Sequence, residues 1–68
     1  MELEQQIGSR LKASRTYASI TVERAAEAAS LELVDYLAVE AGERRATAWE
    51  LTRLCELFSI RMVDLFTV

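Results

Sequence analysis

Residues 21–42, TVERAAEAASLELVDYLAVEAG, read as two short helices joined by a tight turn. This pair constrains everything around it. The first helix, residues 21–29, is rich in alanine. Ala25, Ala26 and Ala29 form a narrow inner stripe whose small side chains permit close helix approach. The second helix, residues 32–41, leaves little of its circumference polar. A pair this short cannot bury both apolar faces alone, so the flanking segments must cover it. For function, the question is what the outer face of the second helix touches.

The flanks supply that cover at helical spacing. Leu3, Ile7 and Leu11 fall four apart and mark one face of a first helix ending near residues 15–17. Residues 17–20 connect it to Thr21, which is placed to cap the next helix, with Glu23 favourable in the first turn. Ser30 marks the turn, and Leu31 covers the entry to the following helix. Gly42 stops that helix. After the polar loop GERRA, Thr47-Ala48-Trp49-Glu50 has the spacing of a capping box. Leu51, Leu54, Cys55 and Phe58 then form an i, i+3, i+4, i+7 stripe. Residues 59–61 break it, and residues 62–66 fit a final short turn of helix, with Leu65 and Phe66 expected to plug the core.

A chain of 68 residues is read as one domain, residues 1–68. At this length only about 60% of the extended surface is buried, so stability is marginal. The usual staples are missing. Cys55 is the only cysteine and there is no histidine, which excludes an internal disulfide and leaves no zinc-ligand set. No cofactor is expected. Stability must come from helix packing or from a second copy of the chain. Apolar residues make up 51% of the chain, which argues against disorder. Their longest runs are far too short for a bilayer, so no membrane association is expected and a cytoplasmic location is. The net charge of −3 weakens any case for non-specific attraction to nucleic acid.

The order Ile7-Gly8, Arg10-Leu11-Lys12, Arg15, Ile20-Thr21, Glu23, Ala26, Glu40, Gly42-Glu43, Leu51, Leu54 and Asp64-Leu65-Phe66 resembles the Cro/C1-type (XRE) helix-turn-helix family. The match runs without gaps from Ile7 to Phe66. No single element is specific, but the combined spacing is. The resemblance implies an all-α, compact five-helix bundle of lambda-repressor-like type. Its third helix would be the recognition helix, lying in the major groove of double-stranded DNA. It also implies an ion pair between Arg15 and Glu40, which would otherwise be two solvated charges. The implied phosphate contacts are Thr21, Arg24, Arg44 and Arg45, with Arg10 and Arg53 as secondary candidates.

Against that pattern, the outer face of the third helix is unusual. In the family's register Tyr36 and Val39 point inward, while Leu33, Val34, Leu37 and Ala38, with Glu32 at the entry, face out. Reading base edges requires hydrogen-bond donors and acceptors, and the apolar members of this set have none. Val22, at the start of the second helix, also lacks a donor. Residues 21–42 hold five acids (Glu23, Glu27, Glu32, Asp35 and Glu40) against one base, Arg24. Their net charge of −4 exceeds the −3 of the whole chain. Affinity for DNA comes largely from neutralising phosphates with Lys and Arg. Glu32 stands where the family usually has Ser or Thr. Ser30 stands where it usually has Gly, and a left-handed backbone there costs about 1 kcal/mol.

Catalytic readings are weak. Ser9-Arg10-Leu11-Lys12 has a Ser-x-x-Lys spacing but no second motif and no room for a cleft. Cys55 has no histidine partner and falls in the core stripe. An enzyme is therefore not expected. Two readings remain. One is a DNA-binding transcription regulator acting as a homodimer. The other is a protein-interaction module on the same scaffold, whose third helix meets another regulatory protein or a second copy. Trp49 is either a further partner contact or a core-edge residue closing the capping turn.

Overall fold

The computed structural model describes residues 2–66. They form α1 (Glu2–Tyr17), α2 (Val22–Ala28), α3 (Leu33–Glu40), α4 (Ala48–Phe58) and a 3-10 turn, Met62–Leu65. The all-α bundle is as expected, but the count of five helices is not. Among the described residues there are four α-helices, and the fifth segment is a single 3-10 turn. Four residues are too few for a continuing α-helical ladder, and the carboxylate of Asp64 closes the turn by accepting from the Arg61 N–H at 3.3 Å.

One core serves all the elements. Leu11, Ala25, Ala26, Ala29, Tyr36, Val39, Leu51, Leu54, Cys55, Phe58 and Leu65 are buried together. The alanine stripe of α2 and the α4 stripe are therefore inside, as their spacing requires. Phe66 is not: it is about half exposed, contrary to its expected role as a plug. The 3-10 turn ends at the fully buried Leu65, and Phe66 follows it as the C-cap, outside the helical spacing that would return it to the core. Leu3 is also half exposed, so the α1 stripe leaves the core at its first turn.

Helix ends are specified locally. The Thr21 hydroxyl accepts from the Arg24 N–H. Thr47 and Glu50 form the full capping box. Glu32, at the N-cap of α3, makes no side-chain capping bond. At the C-termini, α1, α2, α3 and α4 all close with the same paired backbone bonds. In each, a backbone N–H just past the helix donates to the carbonyl five residues back: Ile20 to Arg15, Leu31 to Ala26, Glu43 to Ala38 and Ile60 to Cys55. This closure needs a left-handed residue. Gly42 supplies it once, at φ 77°, but Ser19, Ser30 and Ser59 supply it at φ 57–58°. Three of four closures therefore carry backbone strain that glycine would not. The apolar residue after each serine (Ile20, Leu31 and Ile60) packs on the core.

The two glycines set how closely α1 crosses the end of α3. A Cβ at Gly8 would lie 2.4 Å from the Val39 carbonyl oxygen and 2.5 Å from that of Glu40. A Cβ at Gly42 would lie 2.7 Å from the Gln5 Cα. Glycine inside α1 costs about 1 kcal/mol of helix propensity, and here it permits backbone contact between helices.

Candidate nucleic-acid interface

α2 and α3 form a helix-turn-helix, with residues 29–32 as the turn and α3 packed chiefly on α1 and α2. Tyr36 and Val39 fix which side of α3 faces inward, since both are buried. The C-terminal end is tied down by charge. Arg15 Nε donates to Glu40 Oε2 at 2.7 Å, Nη2 reaches Oε1 at 3.4 Å, and Nη1 donates to the Ile20 carbonyl at 3.0 Å. The Tyr36 hydroxyl donates to Glu40 Oε2. With side-chain exposures of 15% and 7%, this is a buried pair and not two solvated charges. The hydrogen bond to Glu40 raises the Arg15 pKa above its ordinary value. Burial, and then the bond to Glu40, push the Tyr36 phenol far up, so that it stays a donor.

The opposite side of α3 is open. Leu33, Val34 and Leu37 are 40%, 72% and 44% exposed, and Ala38 is half-buried beside them. Leu33 and Leu37 form one row along the helix, Val34 and Ala38 the next. Glu32, exposed at the N-cap, and the half-buried Asp35 are the polar groups at this end. Around the turn, a shallow depression with Ala26 and Leu31 in its lining is bordered by Glu23, Glu32 and Asp35.

The four residues expected to contact phosphate lie on α2 and its N-cap (Thr21, Arg24) and in the loop that follows α3 (Arg44, Arg45). Thr21 is exposed, and its hydroxyl oxygen accepts the capping bond while its proton remains free to donate. Arg24 pairs with Glu27 at 3.1 Å and shares a depression with Arg53 and Glu56 of α4. Arg44 pairs with the capping-box carboxylate of Glu50 at 3.3 Å. Arg45 pairs with Glu4 at 2.9 Å. That contact, after the backbone hydrogen bond to Glu4, holds the Glu4 pKa below its ordinary value. Arg10 donates to the Asp64 carbonyl at 2.9 Å, and Arg61 pairs with Asp64. Arg53 pairs with Glu56 and lies 5.9 Å over the Trp49 ring. Trp49 itself is more than half exposed and does not close the core edge. Every arginine thus has an internal partner, and among the described residues Lys12 is the only cation without one. Both partners of the Arg24–Glu27 pair are well exposed, so it holds its arginine weakly, whereas exposed Arg45 is paired with a Glu4 side chain that is largely buried.

A separate groove was not foreseen from the sequence. It has a volume of about 330 Å³ and lies between α1, the loop after α3, the start of α4 and Phe66. Leu3, Ile7 and Phe66 give it an apolar lining, with Arg44 and Arg45 at its border. Its residues come from both ends of the chain, so no local spacing reveals it. No helix among the described residues is long and apolar enough to cross a membrane.

No family model matches the chain, and no curated protein matches it either. Solved structures do. Two crystal structures of the clp gene regulator ClgR from Corynebacterium glutamicum are similar to 94% of this chain, with TM-scores of 0.89 and 0.85. The match spans 68% of the first ClgR chain and 83% of the second, at 20% sequence identity in both. What this likeness establishes is the fold: the α2–turn–α3 arrangement and its surrounding helices are those of the ClgR structures.

Proposed function

We propose that the chain is a transcription regulator of the Cro/C1 (XRE) type that binds double-stranded DNA as a homodimer. The observation that carries this reading is the position of α3: it is held by its inner side and its C-terminal end, with the outer side and first turn left accessible. The likeness to a clp gene regulator over nearly the whole chain supports the same reading. The uncapped first turn of α3 offers backbone N–H groups, and Thr21 offers a hydroxyl. Arg24, Arg44 and Arg45 reach phosphates by exchanging their internal partners. Leu33, Val34 and Leu37 contribute contacts to thymine methyl groups, which discriminate little. For the dimer, the exposed Leu3 and Phe66 beside the groove provide apolar surface apart from the outer face of α3.

The test is a salt titration of binding to a labelled duplex library, read by anisotropy beside sedimentation of the free protein. Binding weakens steeply with salt, and Arg44→Ala with Arg45→Ala lowers affinity and reduces the salt slope by about 1 per contact removed. Absence of any anisotropy change at low salt sinks the reading.

A second reading is favoured by one specific observation. The outward apolar side chains of α3 bear no donors, and the carboxylates of Glu23, Glu32 and Asp35 beside them have no cation partner among the described residues. On this reading α3 is a protein-docking face on a helix-turn-helix scaffold. Leu33→Asp or Leu37→Asp then abolishes association and leaves the monomer folded.

A further inference from the structure

We infer that the outer face of α3 docks a basic amphipathic segment of another protein, one with an apolar stripe flanked by Lys or Arg. This rests on the second reading above, in which a protein takes the place of DNA on this face, and names the chemistry of that partner.

The apolar half of the argument is the double row Leu33–Leu37 and Val34–Ala38. Three of these four side chains are exposed, on a helix whose other side is already filled by Tyr36 and Val39. Contiguous apolar surface of this kind on a small domain marks an interaction site. An amphipathic helix lying along it meets Leu33 and Leu37 with residues at i, i+3, i+4 and i+7.

The charge half selects among occupants. Of the five acids in residues 21–42, Glu40 is neutralised by Arg15 on the inner side and Glu27 pairs with Arg24, which leaves Glu23, Glu32 and Asp35 on the outer side. Glu23, Glu32 and Asp35 border the depression next to Leu33, with Ala26 and Leu31 in its lining. An arginine or lysine side chain fits that arrangement, its methylenes over Leu31 and its charged head among three carboxylates. A second copy fits badly. A two-fold contact through this face sets Glu32 and Asp35 against their own symmetry mates. Duplex DNA fits badly for the same reason, since phosphates would meet the same carboxylates. A segment carrying both apolar and basic side chains satisfies both halves of the surface.

The experiment is selection of a displayed library of 16-residue helical peptides on the immobilised chain. Controls are Leu33→Asp/Leu37→Asp and Glu23→Gln/Glu32→Gln/Asp35→Asn, each checked for folding by circular dichroism. The enriched peptides carry an apolar stripe with basic flanks. Their affinity falls about a hundredfold or more in the leucine variant and about tenfold in the neutralised one. Enrichment of uncharged or acidic peptides that still depend on Leu37 overturns the partner class and leaves protein docking standing. No enrichment over the leucine variant overturns both. A labelled random duplex that binds the parent and is lost in the leucine variant assigns the face to DNA. A dimer in sedimentation that the leucine variant dissociates assigns it to a second copy. Either result overturns the inference.

Discussion

The two sides of α3 differ in almost every physical respect. On the inner side, Tyr36 and Val39 are buried, and both carboxylate oxygens of Glu40 accept hydrogen bonds from Arg15 or Tyr36. On the outer side, Leu33, Val34 and Leu37 lie exposed beside carboxylates that have no cation partner among the described residues. The inner side is over-determined by the fold, because removing one member strands another. The outer side is left undetermined by the fold, so its composition answers to whatever it meets. The fold and the recognition chemistry of this chain are therefore separable within a helix of eight residues.

The sharpest way to break this contrast is from the inside. Arg15→Ala leaves Glu40 buried without its cation, which costs about 3–5 kcal/mol. Small domains hold only about 5–15 kcal/mol in all, so urea unfolding should show a large drop in midpoint. Gly8→Ala follows, at about 3 kcal/mol, because the new Cβ meets the carbonyls of Val39 and Glu40 and backbone must move.

Alkaline pH probes the same side. Burial raises the Tyr36 phenol and the Cys55 thiol, with Asp64 a smaller cause at Cys55. The folded state then holds these protons more tightly than the unfolded chain does. Their contribution is whole below the ordinary values of the two groups, and it is lost as pH climbs from there through the raised folded values. Urea midpoints should accordingly fall between neutral pH and pH of about 10, where both groups ionise in the unfolded chain. A midpoint unchanged over that range would mean that the two groups are solvated.

Smaller effects come from the helix ends and the outer side. Ser30→Gly, and likewise Ser19→Gly and Ser59→Gly, should each raise stability by about 0.5–1 kcal/mol, since glycine takes the left-handed backbone without penalty. Thermal unfolding of the single and combined variants checks this and whether the gains add.

What the sequence made legible follows the same division. Helical spacing located the core because burial imposes a period, and Leu11, Leu51, Leu54, Cys55 and Phe58 all fell inside. Thr21 and the Thr47–Glu50 box were readable because capping is local. The outward set on α3 was readable from the family's register. Ser30 was read as left-handed, but Ser19 and Ser59 were not. The signal that marks all three is a serine at the helix end followed at once by Ile or Leu. The partners of Arg44 and Arg45 were not legible. Glu4 is 41 residues from Arg45, and no local spacing connects them. Phe66 was misplaced because the helical reading of residues 62–66 runs one residue past the 3-10 turn, which ends at Leu65 and leaves Phe66 as its C-cap.

The most direct test of the separation within α3 is urea unfolding of Leu33→Asp/Leu37→Asp beside Arg15→Ala. The outer-side variant should unfold within about 0.5 kcal/mol of the parent, as surface substitutions do, while Arg15→Ala loses several times that. A loss in the leucine variant comparable to that of Arg15→Ala would contradict the account, because those leucines would then belong to the core.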